Sequence, residues 1–95
     1  MRKIICINKD NGDHINPHEA VSHYGWVADG ESQAYKSTRI SMVNWVKNGG
    51  TAYVQDTQGN IAVCFVNQSV RGTEFLQTKS DGKLTDNILY LPECS

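Results

Sequence analysis

The sequence predicts an α+β domain with a two-layer arrangement, in which one amphipathic helix packs on a mainly antiparallel sheet in the order ββαβββ. Residues 36–50 alone combine apolar residues at helical spacing with signals for both helix ends. Elsewhere, short apolar runs alternate with polar residues and are separated by turns, as is typical of strands. A chain of 95 residues is too short to bury two separate cores, so residues 1–95 are expected to form one domain.

Two strands are predicted before the helix. Residues 2–9 contain an apolar run and form the first strand, and residues 8–17 have the composition of a turn. Residues 17–22 suit either a short helix opened by Asn16 and Pro17 or the start of a strand, and the sequence leaves this open. We favour a second strand from Ala20 to Val27, followed by a polar loop over residues 28–35.

The helix is predicted within residues 36–50. A hydroxyl of Ser37 or Thr38 can cap its start, because it accepts a hydrogen bond from an otherwise unpaired backbone N–H. Apolar side chains form one face, namely Ile40, Met42, Val43, Trp45 and Val46. The sequence Asn48-Gly49-Gly50 ends the helix, since glycine adopts a left-handed conformation without a steric penalty.

Three strands are predicted after the helix, at residues 51–56, 61–67 and 74–79, with turns at residues 57–60 and 80–83. Residues 61–67 are apolar on both faces, which indicates a central strand covered on both sides or covered by a neighbouring chain. Residues 87–92 are apolar enough to pack on the sheet.

Composition restricts the classes of function. Nine Lys and Arg residues against ten Asp and Glu give a net charge of −1, so the chain as a whole does not attract nucleic acid or an anionic membrane. Neither a membrane span nor a signal peptide is recognisable, and we expect a cytoplasmic protein. Three cysteines do not form an even disulfide set. Cys6 and Cys64 are expected in the core and Cys94 in an exposed tail.

The predicted start of the helix is the first candidate site. Lys36, Ser37, Thr38 and Arg39 combine two cations and two hydroxyls with the free N–H groups of a helix N-terminus. A phosphate or carboxylate would accept charge-assisted hydrogen bonds there. The alternative is ordinary capping with solvated charges.

A second group of polar and aromatic residues could complete that site. His23, Tyr24 and Trp26 could stack on a base or fill the core, and Gly25 between them could allow a bulge or a close backbone approach. Gln77 could add a polar contact on the last strand. If these residues meet the helix start, the combination suits a nucleotide.

Catalytic and metal sites are not indicated. His18 and His23 are five residues apart, which places them about 140° apart on a helix, whereas a zinc-protease helix needs a spacing of four. His14 could join them only through folding. No nucleophile motif is present, so we predict neither an enzyme, a cofactor nor a metal.

The most specific segment of the sequence is the tail FLQTKSDGKLTDNILYLPEC at residues 75–94. Four other segments accompany it, namely RKIICINKD (2–10), NPHEAVSHYGW (16–26), KSTRI (36–40) and NGGTAYV (48–54). With these segments, nearly the whole chain resembles a family of small bacterial and phage proteins catalogued as domain of unknown function 3892. The resemblance implies a small α+β domain in a prokaryotic or phage setting, and this setting suggests a role in phage–host conflict. It supplies no activity, cofactor or catalytic residue.

Two classes of function follow. The first is a non-enzymatic protein that captures an anionic small ligand, such as a nucleotide, and that could enclose it better as a homo-oligomer. The second is a protein-interaction module that blocks or recruits a partner through a sheet edge or an exposed apolar face. Binding of single-stranded nucleic acid through Tyr24 and Trp26 ranks third, because the net charge opposes it.

Overall fold

A computed structural model describes residues 1–10, 12, 16–80, 83–85 and 87–94, and all structural statements refer to these residues. The elements are β1 (Arg2–Lys9), β2 (Val21–Ala28), β3 (Ala34–Thr38), α1 (Arg39–Lys47), β4 (Ala52–Gln55), β5 (Ile61–Gln68), β6 (Glu74–Ser80) and β7 (Lys83–Thr85). Two 3-10 helices are also present, at Pro17–Ala20 and Asn87–Tyr90. No helix in the described part of the chain is long and apolar enough to cross a membrane.

The strands form one sheet in the order β3-β2-β1-β4-β5-β6-β7. The pairing of β1 with β4 is parallel and the other pairings between these strands are antiparallel. The α+β class with one helix and a mainly antiparallel sheet is therefore confirmed. The predicted order ββαβββ lacks two strands. One is β3, which lies in the predicted polar loop and helix start, and the other is β7, which begins at residue 83, where the predicted turn was to end. Residues 81 and 82 of that predicted turn are outside the described part.

The open question at residues 17–22 is resolved as a short 3-10 helix followed by a strand. Asn16 caps the 3-10 helix, since its side chain accepts from the His18 N–H at 3.0 Å while Glu19 accepts from the Asn16 N–H at 3.4 Å. These reciprocal bonds form a capping box. Strand β2 begins directly afterwards, at Val21.

The helix begins at Arg39 with Thr38 as its cap residue, which is one of the two predicted caps, and residues 36–38 pair with β2 as part of β3. Met42 and Val43 are buried as expected, whereas Ile40 is 64% exposed and the prediction for it was wrong. Helical side chains tilt toward the helix N-terminus. A side chain in the first turn therefore extends past the packed part of the helix.

The sheet is strongly curved. Four strand spacings separate β2 from β6, or roughly 19 Å if the sheet were flat, yet the Leu76 N–H of β6 donates to the Tyr24 hydroxyl of β2 at 3.2 Å. The curvature encloses one core cluster. Its buried members are Ile4, Ile7, Val21, Tyr24, Met42, Val43, Ala52, Val54, Cys64, Leu76 and Ile88.

A disulfide between Cys6 and Cys94 fastens the C-terminal segment to β1. The expectation of a core thiol at Cys6 and an exposed thiol at Cys94 was wrong, while Cys64 is a buried free cysteine as expected. The segment also pairs with β1, because the Ile7 N–H donates to the Pro92 carbonyl and the Cys94 N–H donates to the Ile7 carbonyl, both at 3.0 Å. The predicted packing of the tail is thus reinforced by a covalent bond.

Candidate functional site

Most of the predicted site residues meet on the ladder between β2 and β3. His23 lies opposite Thr38, Tyr24 opposite Ser37, Gly25 opposite Lys36 and Trp26 opposite Tyr35. Because paired residues share a face and successive residues alternate, Tyr24, Trp26 and Ser37 lie on one face of the sheet. His23, Lys36 and Thr38 lie on the other. The ladder therefore divides the predicted residues between two faces.

Tyr24 belongs to the core. Its side chain is fully buried, and its hydroxyl accepts from the Leu76 N–H. Burial raises the pKa of Tyr24 to about 12. The ring therefore has no surface to present to a ligand. Of the two predicted alternatives, stacking on a base or filling the core, Tyr24 fills the core.

Trp26 is half-buried and lies in an aromatic cluster. Its indole N–H donates to the Ser37 hydroxyl at 3.0 Å, and its ring stacks on Tyr35 with centroids 4.9 Å apart. The Arg2 guanidinium lies 3.8 Å from the Trp26 ring centroid and 4.0 Å from that of Trp45. Burial between these rings lowers the pKa of Arg2. Sequence reasoning missed Arg2, because no local pattern indicates that a residue on β1 contacts rings on β2 and α1.

Arg39 holds the start of the helix against the preceding segment. Its Nη1 donates to the Glu19 carbonyl at 3.2 Å and to the Val21 carbonyl at 3.1 Å. Thr38 is the cap residue, since its hydroxyl accepts from the Ser41 N–H at 3.1 Å. Lys36 is exposed and forms no ion pair with any residue that the structure describes. Of the two cations predicted to bind an anion, Arg39 thus uses one of its nitrogens to hold backbone carbonyls, whereas Lys36 has no ion-pair partner among the described residues.

Gln77 and His23 also have partners within the chain. The Gln77 amide accepts from Asn67 at 2.8 Å and donates to the Thr85 carbonyl at 3.3 Å, so it connects three strands. The Nδ1 of His23 lies 2.9 Å from the Ser22 hydroxyl. Gln77 is also buried, which leaves it little surface for an external ligand.

Metal-ligating side chains do not cluster in the described part of the chain. No group of three or more His, Cys, Asp or Glu residues there could hold a metal ion. His18 is buried and stacks on Phe75, with centroids 4.7 Å apart and rings 8° from parallel. His14, the third histidine, lies outside the described residues.

A cleft of about 700 Å³ lies between the β4–β5 hairpin and the C-terminal 3-10 helix. It is lined by Val54, Gln55, Asp56, Thr57, Asn60, Ile61, Ala62, Lys79, Asn87, Tyr90 and Leu91. Asp56 organises the hairpin turn, since its carboxylate accepts from the Gln58 and Asn60 backbone N–H groups at 2.9 Å. The side-chain hydrogen bond from Asn60, at 3.0 Å, is the largest cause of a lowered Asp56 pKa.

An exposed apolar surface lies on β5 beside this cleft. We call Ile61, Val63 and Phe65 the β5 outer face, because they alternate with the buried Cys64 and point to the opposite side of the sheet. Ile61 and Val63 are each 56% exposed. The sequence predicted that this strand is covered on both sides or is covered by a neighbouring chain. The exposure of Ile61 and Val63 excludes coverage of both faces of the strand by its own chain.

Two lysines flank the β5 outer face. Lys3 pairs with Tyr53, which pairs with Val63. On the other side Cys64 pairs with Thr78, and extending this ladder by one residue places Lys79 beside Val63. The Lys79 ammonium lies 4.9 Å from the Phe65 ring centroid. Neither lysine forms an ion pair with a residue in the described ranges.

Fold and surface together define a small α+β domain with an exposed apolar strand face between cations. The chain belongs to the family described as protein of unknown function (DUF3892), which matches residues 3–92. Comparisons with curated proteins and with solved structures gave no match.

Proposed function

We propose that the protein is a non-enzymatic interaction module whose β5 outer face binds an apolar, acidic surface of a partner protein. The proposal takes the molecule as two-layered, with the helix on one face of the sheet and the β5 outer face uncovered on the other. The observation that carries it is the 56% exposure of both Ile61 and Val63 on a strand inside the sheet. Burying such side chains against a partner contributes roughly 25 cal/mol per Å² of apolar area.

The charges beside this face favour an acidic partner. Lys3 and Lys79 lie on either side of Val63 and have no carboxylate partner among the residues described. Carboxylates around an apolar patch on the partner would pair with both ammonium groups. Such complementarity speeds association and selects among partners more than it adds affinity.

Site-specific photo-cross-linking tests this proposal. A photoreactive phenylalanine analogue is placed at Val63 in cells that express the protein, and the matched control carries it at Val70. Val70 is 95% exposed in the loop after β5 and is not part of the β5 outer face. We expect one discrete cross-linked protein from position 63 and none from position 70. No adduct at 63, the same adducts at both positions, or a dimer of this 10.6 kDa chain contradicts the proposed partner.

Capture of an anionic small ligand at residues 36–39 is the second candidate. The exposed Lys36 ammonium, on the same face as Thr38 and His23, favours it. A nucleotide that binds only the folded state should raise the melting temperature. Lys36→Ala should abolish this rise, and an unchanged melting temperature with every nucleotide contradicts this candidate. Single-stranded nucleic-acid binding stays a prediction, tested by an affinity that falls steeply with salt.

The setting is part of the proposal as well. We place the protein in a bacterial or phage-infected cell, in a role in phage–host conflict, on the resemblance described above, and we keep the cytoplasmic location that the sequence predicts. The Cys6–Cys94 disulfide argues the other way on location, since disulfides persist mainly in oxidising compartments. Homo-oligomerisation would be detected as the chain-dimer adduct of the cross-linking experiment.

A further inference from the structure

We propose that the disulfide between Cys6 and Cys94 is a reversible redox latch, whose reduction by a dithiol of the thioredoxin class releases residues 92–94 from β1. This inference goes beyond the proposed function, because it concerns the edge of β1 and does not use the β5 outer face. It also gives the disulfide a role in a reducing compartment such as the cytoplasm, where disulfides are usually transient and catalytic or redox-sensing.

Residues 92–94 occupy one edge of β1. On that edge β1 pairs first with β4, at Arg2 and Lys3, while β2 pairs with the opposite edge. Farther along the β4 edge, Ile7 forms a parallel bridge with Glu93. Residues 92–94 therefore take the place of a neighbouring strand, and their release would leave the backbone N–H and carbonyl of Ile7 without these partners.

Besides the disulfide, three hydrogen bonds between described residues join residues 92–94 to β1. Two of them connect the Ile7 backbone to the Pro92 carbonyl and to the Cys94 N–H, and in the third the Asn8 side-chain amide donates to the Cys94 carbonyl at 3.1 Å. Pro92 and Glu93 are exposed, so these residues bury little apolar surface. Segments with few buried apolar contacts open at a low cost in free energy. The covalent bond is therefore the main constraint on this segment.

The packing around the disulfide determines which cysteine moves when the bond is cut. Cys6 lies within β1, opposite Gly25 of β2. A Cβ at position 25 would overlap the Cys6 sulfur and lie 2.7 Å from the Cys94 sulfur, so both sulfur atoms pack directly on the β2 backbone. Two sulfur atoms that are no longer bonded repel each other at bonding distance. Because Cys6 is held in an interior strand, Cys94 must move away and take its neighbours with it.

Thiol–disulfide exchange supplies the chemistry of the latch. Cys6 and Cys94 are half-buried, so a reductant can reach the bond. A thiolate of the dithiol attacks one sulfur and forms a mixed disulfide, while the other cysteine leaves as a thiolate and takes up a proton. The second thiol of the reductant then attacks the mixed disulfide. The dithiol is thereby oxidised to a disulfide, and the protein gains two electrons and two protons as a pair of thiols.

Cys64 does not compete in this exchange. It is buried on the core side of β5, and burial raises its pKa to about 12, so it supplies no thiolate near neutral pH. The latch therefore has two states, one with the Cys6–Cys94 bond and one with two thiols.

Amide hydrogen exchange on the full chain tests this inference. The oxidised, isotope-labelled protein is compared with and without dithiothreitol under native conditions. In the reduced protein the Ile7 amide should exchange at least about tenfold faster, because its acceptor has left. The Leu76 amide, which donates to the Tyr24 hydroxyl, should keep its protection. Alkylation of the reduced native protein should label two cysteines, and oxidation with glutathione disulfide should restore slow exchange at Ile7.

Two variants complete the test. In Cys6→Ala/Cys94→Ala the Ile7 amide should exchange fast with or without dithiothreitol, whereas Cys64→Val should respond to dithiothreitol like the unmodified protein. A disulfide that resists dithiothreitol in the native state, a reduced protein whose Ile7 amide stays protected, or an equal loss of protection at Ile7 and Leu76 would each overturn the latch. Cross-linking from position 63 does not depend on any of these results, so the two proposals fail separately.

Discussion

The hydroxyl of Tyr24 accepts a hydrogen bond from the backbone N–H of Leu76 at 3.2 Å, which joins β2 to β6 across the interior of the curved sheet. Leu76 pairs with Val66 of β5 on one side, whereas the pairing of β6 with β7 covers only residues 78–80. The Tyr24 hydroxyl therefore takes the place that a neighbouring strand would occupy at Leu76. A buried N–H left without an acceptor would destabilise the fold.

Tyr24→Phe should lower the free energy of unfolding by about 1–3 kcal/mol, because it removes the acceptor and keeps the ring. Urea denaturation measures this change. Tyr53→Phe is the matched control, since the Tyr53 hydroxyl donates to Asp29 at an exposed position. The control should change stability by less than about 0.5 kcal/mol. Equal losses in the two variants would show that the buried hydrogen bond contributes nothing.

Thiol counting tests the assignment of the three cysteines. Cys64 is 5% exposed, and burial raises its pKa to about 12, so it should resist a thiol reagent in the native protein. Without a reductant we expect no reactive thiol in the native state and one after denaturation, since Cys6 and Cys94 are joined. Reduction in denaturant should release all three. Three thiols before reduction would disprove the disulfide.

Removing the disulfide should lower the free energy of unfolding by about 2–4 kcal/mol, because it closes a long loop of the unfolded chain. Cys6 and Cys94 are 88 residues apart. The matched comparison is the oxidised protein against the Cys6→Ala/Cys94→Ala variant in urea denaturation. Equal stability of the two proteins would contradict a structural role for the bond.

Gly25 of β2 lies directly against the sulfur atoms of this disulfide. A Cβ at position 25 would overlap the Cys6 sulfur and lie 2.7 Å from the Cys94 sulfur. Gly25→Ala should therefore destabilise the oxidised protein more than it destabilises the Cys6→Ala/Cys94→Ala variant. An identical loss in both backgrounds would mean that the sulfur atoms do not exclude a side chain there.

Alkaline pH should destabilise the protein in two overlapping ranges. Burial raises the pKa of Cys64 from 9.0 to about 12 and that of Tyr24 from 10.0 to about 12. Both groups release protons more readily when unfolded, so their contributions are complete below pH 9 and are lost as the pH rises toward 12. Cys64→Val should delay the first loss of stability from about pH 9 to about pH 10. Unfolding curves that coincide across this range would refute the Cys64 contribution.

Arg39→Ala should reduce stability by about 1.5–3 kcal/mol, because it removes the two hydrogen bonds from a charged donor to the Glu19 and Val21 carbonyls. If Arg39 is instead only a ligand-binding cation at the start of the helix, the substitution should spare the fold. Lys36→Ala is the control and should leave stability within about 0.5 kcal/mol. Thermal or urea unfolding decides between the two interpretations. An Arg39→Ala variant that is as stable as the control would favour the interpretation of Arg39 as a ligand-binding cation.

The elements with clear local patterns were predictable. The first two strands, β4, β5 and β6 follow from apolar alternation and turn residues, and each boundary lies within a few residues of its prediction. The edge strand β3 was not, because residues 34–38 are polar and become a strand only by pairing with β2. The helix start at Arg39 agrees with Thr38 as one of the two predicted caps. Long-range pairing, which no local window contains, accounts for the missed strand.

The candidate site was less predictable, because it depends on contacts between distant residues. The sequence suggested a bulge or a close backbone approach at Gly25. A register shift lies opposite it, on β1 between Ile4 and Cys6, but the atoms that approach Gly25 most closely are the disulfide sulfurs. It could not pair Cys6 with Cys94, since an odd number of cysteines leaves the partners undefined. The alternation of β5 predicted an outer face that needs coverage, but only the curved sheet shows which residues remain exposed.

The effect of charge reversal on cross-linking from position 63 tests the central claim most directly. Lys3→Glu and Lys79→Glu replace the cations that flank Val63, while Lys36→Glu is a control away from the β5 outer face. If this face binds an acidic partner, the adduct from position 63 should fall at least severalfold in the Lys3→Glu/Lys79→Glu variant and stay unchanged in the control. An undiminished adduct in that double variant would contradict the claim.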